Sequence, residues 1–199
     1  MTHVAPPPAG GYTIFSVDER TGLWLPSFSR RNQIQYDWAR VAVQAIGRGK
    51  SNYRINAVYA EFQNVGSPGD PATAPSYDRN EGVEYYTALS GARDYLRLPL
   101  LSEPALAVAS GYGDYFSGED DDFNQMTFFA QTSGSAGVNG LAFSESANSV
   151  VLGIALVATP VPADRTRDVV FGRAYFATGQ QVAKADGHQV GVSWSQVFG

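Results

Sequence analysis

The chain has 199 residues, 44% of them hydrophobic and 13% aromatic, enough to bury a substantial core in one domain, with two small domains as the alternative. A formal net charge of -5, with 14 Lys and Arg and no basic run, leaves no footprint for gripping phosphates, so nucleic acid is not an expected partner. With no cysteine there are no disulfides, no thiolate nucleophile and no structural zinc site of the usual kind.

In chain order, residues 1–28 read as an extended amino-terminal arm. They open with Pro6, Pro7 and Pro8, then Gly10 and Gly11, before the mixed segment from Tyr12 to Val17. Proline fixes φ and withholds a donor, so this start is expected to be a linker or an arm that docks on a neighbouring subunit. The opening MTHVAPPPAGGY lacks a basic region followed by an apolar core, and no stretch reaches the length of a membrane span. Synthesis in a cytoplasm is expected, with no membrane partner.

Residues 29–199 are expected to form a single β-rich domain that includes one helix. That helix is predicted over about 30–46, where Ile34, Trp38, Val41, Ala42, Ala45 and Ile46 recur at helical spacing, with Ser29 or Asn32 as N-cap and Gly47 or Gly49 as stop. Arg30 and Arg31 precede it as a solvated pair. A second helical turn is expected within Asn80 to Leu89.

The remainder predicts strands. Arg54 to Phe62 alternates, with Val58, Ala60 and Phe62 on one face. Ala105 to Ala109, Gln125 to Gln131, Val150 to Ala158, Asp168 to Phe176 and Gln189 to Phe198 follow. Val150 to Ala158 is apolar throughout, as expected of a strand buried on both faces or in an interface. The resulting fold class is mainly β, an antiparallel β-sandwich or jelly roll with one amino-terminal α-helix and the extended arm. An α+β sheet with the helix on one face is the alternative.

Chemistry is sparse. His3 and His188 lie at opposite ends of the chain and no Gly-x-Ser-x-Gly elbow occurs, so neither histidine is expected to be catalytic. The glycine-rich Ser133 to Gly140 lacks the lysine of a phosphate loop and reads as a plain loop. Glu119, Asp120, Asp121 and Asp122 are contiguous rather than alternating, which does not match a calcium loop. An exposed loop that keeps the neighbouring strand from stray pairing is expected there. No catalytic residue, cofactor or metal is expected.

The segment from Thr159 to Phe171, TPVPADRTRDVVF, carries the interaction residues of interest. Pro160 and Pro162 hold an extended connection, while Asp164, Arg165, Arg167 and Asp168 offer complementary charge at short range. They are read as an intrachain cluster fixing a long loop or, more sharply, as a lock between subunits. Together with Pro6, Pro7 and Pro8 they are the candidate site residues.

The same TPVPADRTRDVVF segment, the run from Asn52 to Val65 followed by Ser67 to Asp70 and Tyr77 to Arg79, and Asp94 to Leu100 resemble tailed-bacteriophage, podovirus-like virion structural proteins. The resemblance implies a shared architecture and no reaction: a non-enzymatic, tail-associated or fibre-attachment component of the virion, forming a symmetric homo-oligomer. Its implied partners are other virion proteins, of the tail or fibre or the major capsid protein. A capsid decoration or cement protein on the head is the alternative within that class. A carbohydrate-binding or carbohydrate-cleaving β domain with Trp24, Trp38 and Trp194 as stacking platforms is the alternative outside it.

Overall fold

A computed structural model of the chain describes residues 9–18, 20–31, 33–34, 36–64, 81–89, 93–131, 149–176, 180–183 and 188–198. Two antiparallel sheets face each other. The first has five strands in the order β2-β1-β11-β7-β6, where β1 is Ala9–Asp18, β2 Trp24–Arg31, β6 Ala105–Ala107, β7 Gln125–Gln131 and β11 His188–Val197. The second runs β3-β9-β8-β4-β5 with β10 beside β8; here β3 is Gln33–Ile34, β4 Ile55–Asn64, β5 Arg93–Pro99, β8 Ser149–Ala158, β9 Val169–Tyr175 and β10 Val182–Ala183. This is the expected antiparallel sandwich. Its sequential pairs β1–β2, β4–β5, β6–β7 and β8–β9 each stay within one sheet.

Period-two patterning builds the core between the sheets. Val58, Ala60 and Phe62 of β4 point inward with Leu96 and Leu98 of β5 and Ile154 and Leu156 of β8, meeting Tyr12, Ile14, Phe128, Val192 and Trp194 from the opposite sheet. Trp194 is fully buried, its ring 5.7 Å from that of Tyr12. Each such large apolar side chain contributes about 1.5–3 kcal/mol by leaving water.

The second sheet is covered on its outer face too, which accounts for the unbroken apolar run in β8. Ala155 and Val157 face outward into a second cluster with Tyr59, Tyr95 and Val170; helix α2, Val83–Thr87, lays Tyr86 on it, and Leu89, just after the helix, packs against it. The predicted helical turn within Asn80 to Leu89 is this helix.

Two expectations need correction. The arm assigned to residues 1–28 is sheet from Ala9 onward: β1 pairs with β11 over ten residues, from Ala9 opposite Val197 to Asp18 opposite His188. The alternation of Tyr12 and Ile14, both buried, outweighs the nearby glycines and prolines. The expected boundary after residue 28 falls inside β2. Pro6, Pro7 and Pro8 lie outside the described residues.

The helix predicted over about 30–46 starts late. Arg30 and Arg31 belong to β2, paired with Tyr12 and Gly11, and Ile34 pairs with Gly172 in β3. Helix α1 is Trp38–Val41, with Asp37 as N-cap, and continues as a π-helical segment, Ala42–Gly47. Sheet pairing captures the first residue of the apolar stripe, Ile34, and the residues before it. The expected stop at Gly47 holds.

One glycine is set by a close approach. A Cβ on Gly191 of β11 would sit 2.6 Å from the Trp24 ring, so glycine lets Trp24 lie flat across the outer face of the first sheet, edge-on to Phe15 at 5.2 Å. The acidic run forms an exposed turn between β6 and β7, as expected of a loop. Asp122 accepts from the Ser117 N–H at 2.8 Å and from its hydroxyl at 3.0 Å, while Asp120 and Asp121 have φ of 48° and 66°, which Asp tolerates better than most residues. Among the described residues no His, Cys, Asp and Glu group is placed to hold a metal ion, and no helix is long and apolar enough to cross a membrane.

Candidate functional site

The connection from β8 to β9 is held at every step. Thr159 donates its N–H and hydroxyl to Asn56 Oδ1 at 2.9 and 2.6 Å, tying the end of β8 to the start of β4. Asp164 then caps a 3-10 turn, Arg165–Arg167, accepting from the Thr166 N–H at 3.1 Å and its hydroxyl at 2.6 Å. At the far end lies Asp168, buried, whose Oδ2 accepts from Arg97 Nη2 at 2.7 Å and Nε at 3.0 Å and from the Tyr59 hydroxyl. Arg97 Nη1 also donates to the Pro162 carbonyl. One guanidinium from β5 thus fixes both limbs of the connection, which suits the planar fork of arginine.

Of the four charged residues expected here, only Asp168 enters the buried pair, and its partner lies 71 residues away on β5. Arg165 sits over the Tyr95 ring, 4.9 Å from its centroid, and Arg167 is exposed. The intrachain reading therefore describes Asp164 and Asp168. The side chain that completes the lock, Arg97, lies within the Asp94 to Leu100 segment, where the alternation of Leu96 and Leu98 was the available signal for a strand with Arg97 on its opposite face.

Electrostatics separates the two acids. Hydrogen bonds from Thr166 hold the Asp164 carboxyl below its ordinary value, and Arg167 and Arg97 add to this. Burial pushes the Asp168 carboxyl up, against the pull of Tyr59 and Arg97. A folded-state value below the unfolded one stabilises the fold above the unfolded value and is lost as pH falls through the folded one. Asp164→Asn is accordingly expected to flatten the acid limb of the stability-pH profile below about pH 4. Thermal unfolding from pH 2 to 6 checks it; an unchanged acid limb would count against the cap.

A second buried charge lies beside the first. Arg173 of β9 has no exposed surface; it donates to Glu81 Oε2 at 2.9 Å and to the Gly82 carbonyl at 3.0 Å. The Tyr85, Tyr86 and Tyr175 rings surround it at 4.4, 4.8 and 5.6 Å from the guanidinium carbon. Tyr85 also donates to Glu61, fully buried on β4, at 3.2 Å. Burial drives the hydroxyls of Tyr86 and Tyr175 well above the normal tyrosine range, so they stay neutral and their rings act as packing groups. The cluster pins the short helix α2 to the sheet.

Among the described residues, an apolar groove opens at the end of the sandwich where α1 crosses it. It encloses about 270 Å³ and is lined almost entirely by apolar groups, among them Trp38, Val41 and Ile46 from the helical segment, Met126 and Phe128 from β7, and Phe198 after β11. Of the apolar stripe read as helix core, Val41 is buried against Ala158 and Val169 and Ala42 and Ala45 are half-buried, whereas Ile46 is 84% exposed and turned to solvent. The π-helical winding rotates it relative to an α-helical path. Trp38 belongs to this rim, whereas Trp194 sits in the core and offers no stacking face.

What fold and site define, among the described residues, is an antiparallel β-sandwich whose second sheet carries two buried locks on its outer face and which has an exposed apolar end. Comparison with protein-family models, with curated proteins and with solved structures gives no match.

Proposed function

We propose that this chain is a non-enzymatic structural component of a tailed-bacteriophage virion, a tail-associated or fibre-attachment protein that works as a symmetric homo-oligomer among other virion proteins. The observation that carries the reading is the apolar end of the domain. Ile46, which lines the groove with Trp38, Met126 and Phe198, stands 84% exposed, and an exposed apolar surface of that kind marks contact with another polypeptide. The locked connections support it, because Arg97, Asp168 and Arg173 spend their charge on holding loops and α2 in place. A rigid block with one adhesive end is what an assembly component requires.

Electron microscopy of the particle tests the proposal. Density fitting the sandwich at the tail or a fibre-attachment site is the expected result. Density confined to capsid three-fold or quasi-three-fold positions would replace the tail placement with a decoration role on the head. Absence of the chain from purified particles would remove the virion reading altogether.

A further inference from the structure

We infer that the groove seats a second copy of this chain, and that what enters it is the neighbour's β1–β2 hairpin tip, carrying Leu23 and Leu25. The inference rests on the reading of the apolar end as a contact with another polypeptide, and names that polypeptide. The register of the first sheet puts groove and tip at opposite ends of the sandwich. Ala9 and Val197 lie opposite each other at the end where Phe198 lines the groove. The turn that joins Asp18 to Leu23 closes at the other end, where the Asp18 N–H donates to the Leu23 carbonyl at 3.1 Å, about 30 Å away along β1.

Two grooves set against each other leave a void, so a close-packed contact needs a convex apolar filler. Among the described residues, most exposed large apolar side chains belong to the groove's own end. Trp38 and Ile46 line it, and Tyr36, Val43, Leu101 and Leu106 lie within two residues of its lining. Tyr115 is in the loop that enters β7 at Gln125, opposite Val197. Leu23 and Leu25, 57% and 48% exposed, are the ones that remain. They flank Trp24, so period two puts both on the face away from it. The tip is set before contact: the Asp18 carboxylate accepts from the N–H groups of Arg20 and Thr21 at 2.8 and 3.0 Å, and little freedom is left to lose on docking. Arg20, exposed on the tip, brings a cation to a rim that carries Glu103, itself exposed and bridged to Arg54 at 3.4 Å. A groove at one end and its filler at the other make a heterologous contact, which repeats head to tail instead of closing after two copies.

Complementation between two full-length variants tests it. A tip variant, Leu23→Asp with Leu25→Asp, and a groove variant, Ile46→Asp, are purified separately and then mixed in equal amounts. In sedimentation velocity the unaltered chain is expected to form assemblies larger than a dimer and each variant alone to stay monomeric. The mixture should give a dimer and stop there, because only one intact tip and one intact groove remain to meet. A mixture that stays monomeric would overturn the inference. So would a tip variant that assembles like the unaltered chain, although the apolar end would then still be an interface, with another occupant. A monomeric unaltered chain would overturn it too, while leaving the particle reconstruction to decide the virion reading. The absence of cysteine supplies a second measurement without buried charge. Leu23→Cys and Ile46→Cys in separate chains, mixed and oxidised, are expected to form the mixed disulfide at least roughly tenfold faster than either variant links to itself, and equal rates would likewise overturn the inference.

Discussion

Arg97→Met is expected to lower unfolding stability by about 3–5 kcal/mol, the penalty typical of stranding one member of a buried ion pair. Arg97 and Asp168 are 7% and 0% exposed at their side chains and meet at 2.7 Å. Methionine replaces the stem of the arginine but none of its donors, so Asp168 keeps only the Tyr59 hydroxyl and the Pro162 carbonyl loses its Arg97 donor. The cost is that of a desolvated carboxylate rather than of lost packing. It should shrink as pH falls, because protonating the stranded acid removes the buried charge, and combining Arg97→Met with Asp168→Asn should recover part of it. Urea unfolding of the single and double variants at two pH values is the measurement. A loss below about 1 kcal/mol would mean that the pair is accessible to water and worth no more than a surface bridge.

Arg173→Met is expected to cost somewhat less, about 2–3 kcal/mol, since its acidic partner Glu81 remains 35% exposed and is rehydrated more easily. The loss includes the contacts with the Tyr85, Tyr86 and Tyr175 rings and the hydrogen bond to the Gly82 carbonyl. Its effect should be local. Helix α2 has five residues, too few to persist without tertiary support, so its amides should lose hydrogen-exchange protection while those of β8 and β4 keep theirs. Arg173→Lys keeps the charge but not the planar stack and should fall between the two. Unchanged protection of α2 in Arg173→Met would show that apolar contacts alone hold the helix.

How legible these features were in the sequence depends on their range. β4, β7, β8 and β11 announce themselves because alternation or an unbroken apolar run within ten residues reflects which faces are buried, a local record of the fold. β1 carries the same alternation in Tyr12 to Val17, but its glycines and the adjacent prolines suggested a loose arm. β2 conceals itself further with Pro26, which an edge strand tolerates and which sits where the register shifts against Phe15. The helical stripe was real in period and wrong in extent, since no local signal says that Arg30, Arg31 and Ile34 will be taken by sheet partners. The buried lock was half legible. Asp168 stood out within a charged cluster, whereas Arg97 pairs across 71 residues, and only the fold brings them together. The groove was hidden for the same reason: its walls come from six separate stretches of chain.

The position of β11 bears on how the molecule is made. The second sheet draws its long strands from Ile55 to Tyr175, so it can pair these strands without any residue beyond 175. The first sheet cannot, because its central strand, between β1 and β7, is His188–Val197. Until that segment leaves the ribosome, β1 has no ladder on its β11 side and the apolar faces of β4, β5 and β8 lack the Val192 and Trp194 lid that covers them. Closure is therefore a late event joining regions distant along the chain, a slow kind of step, and any interruption of translation before residue 188 leaves a nascent polypeptide with a finished half and an uncovered, aggregation-prone face.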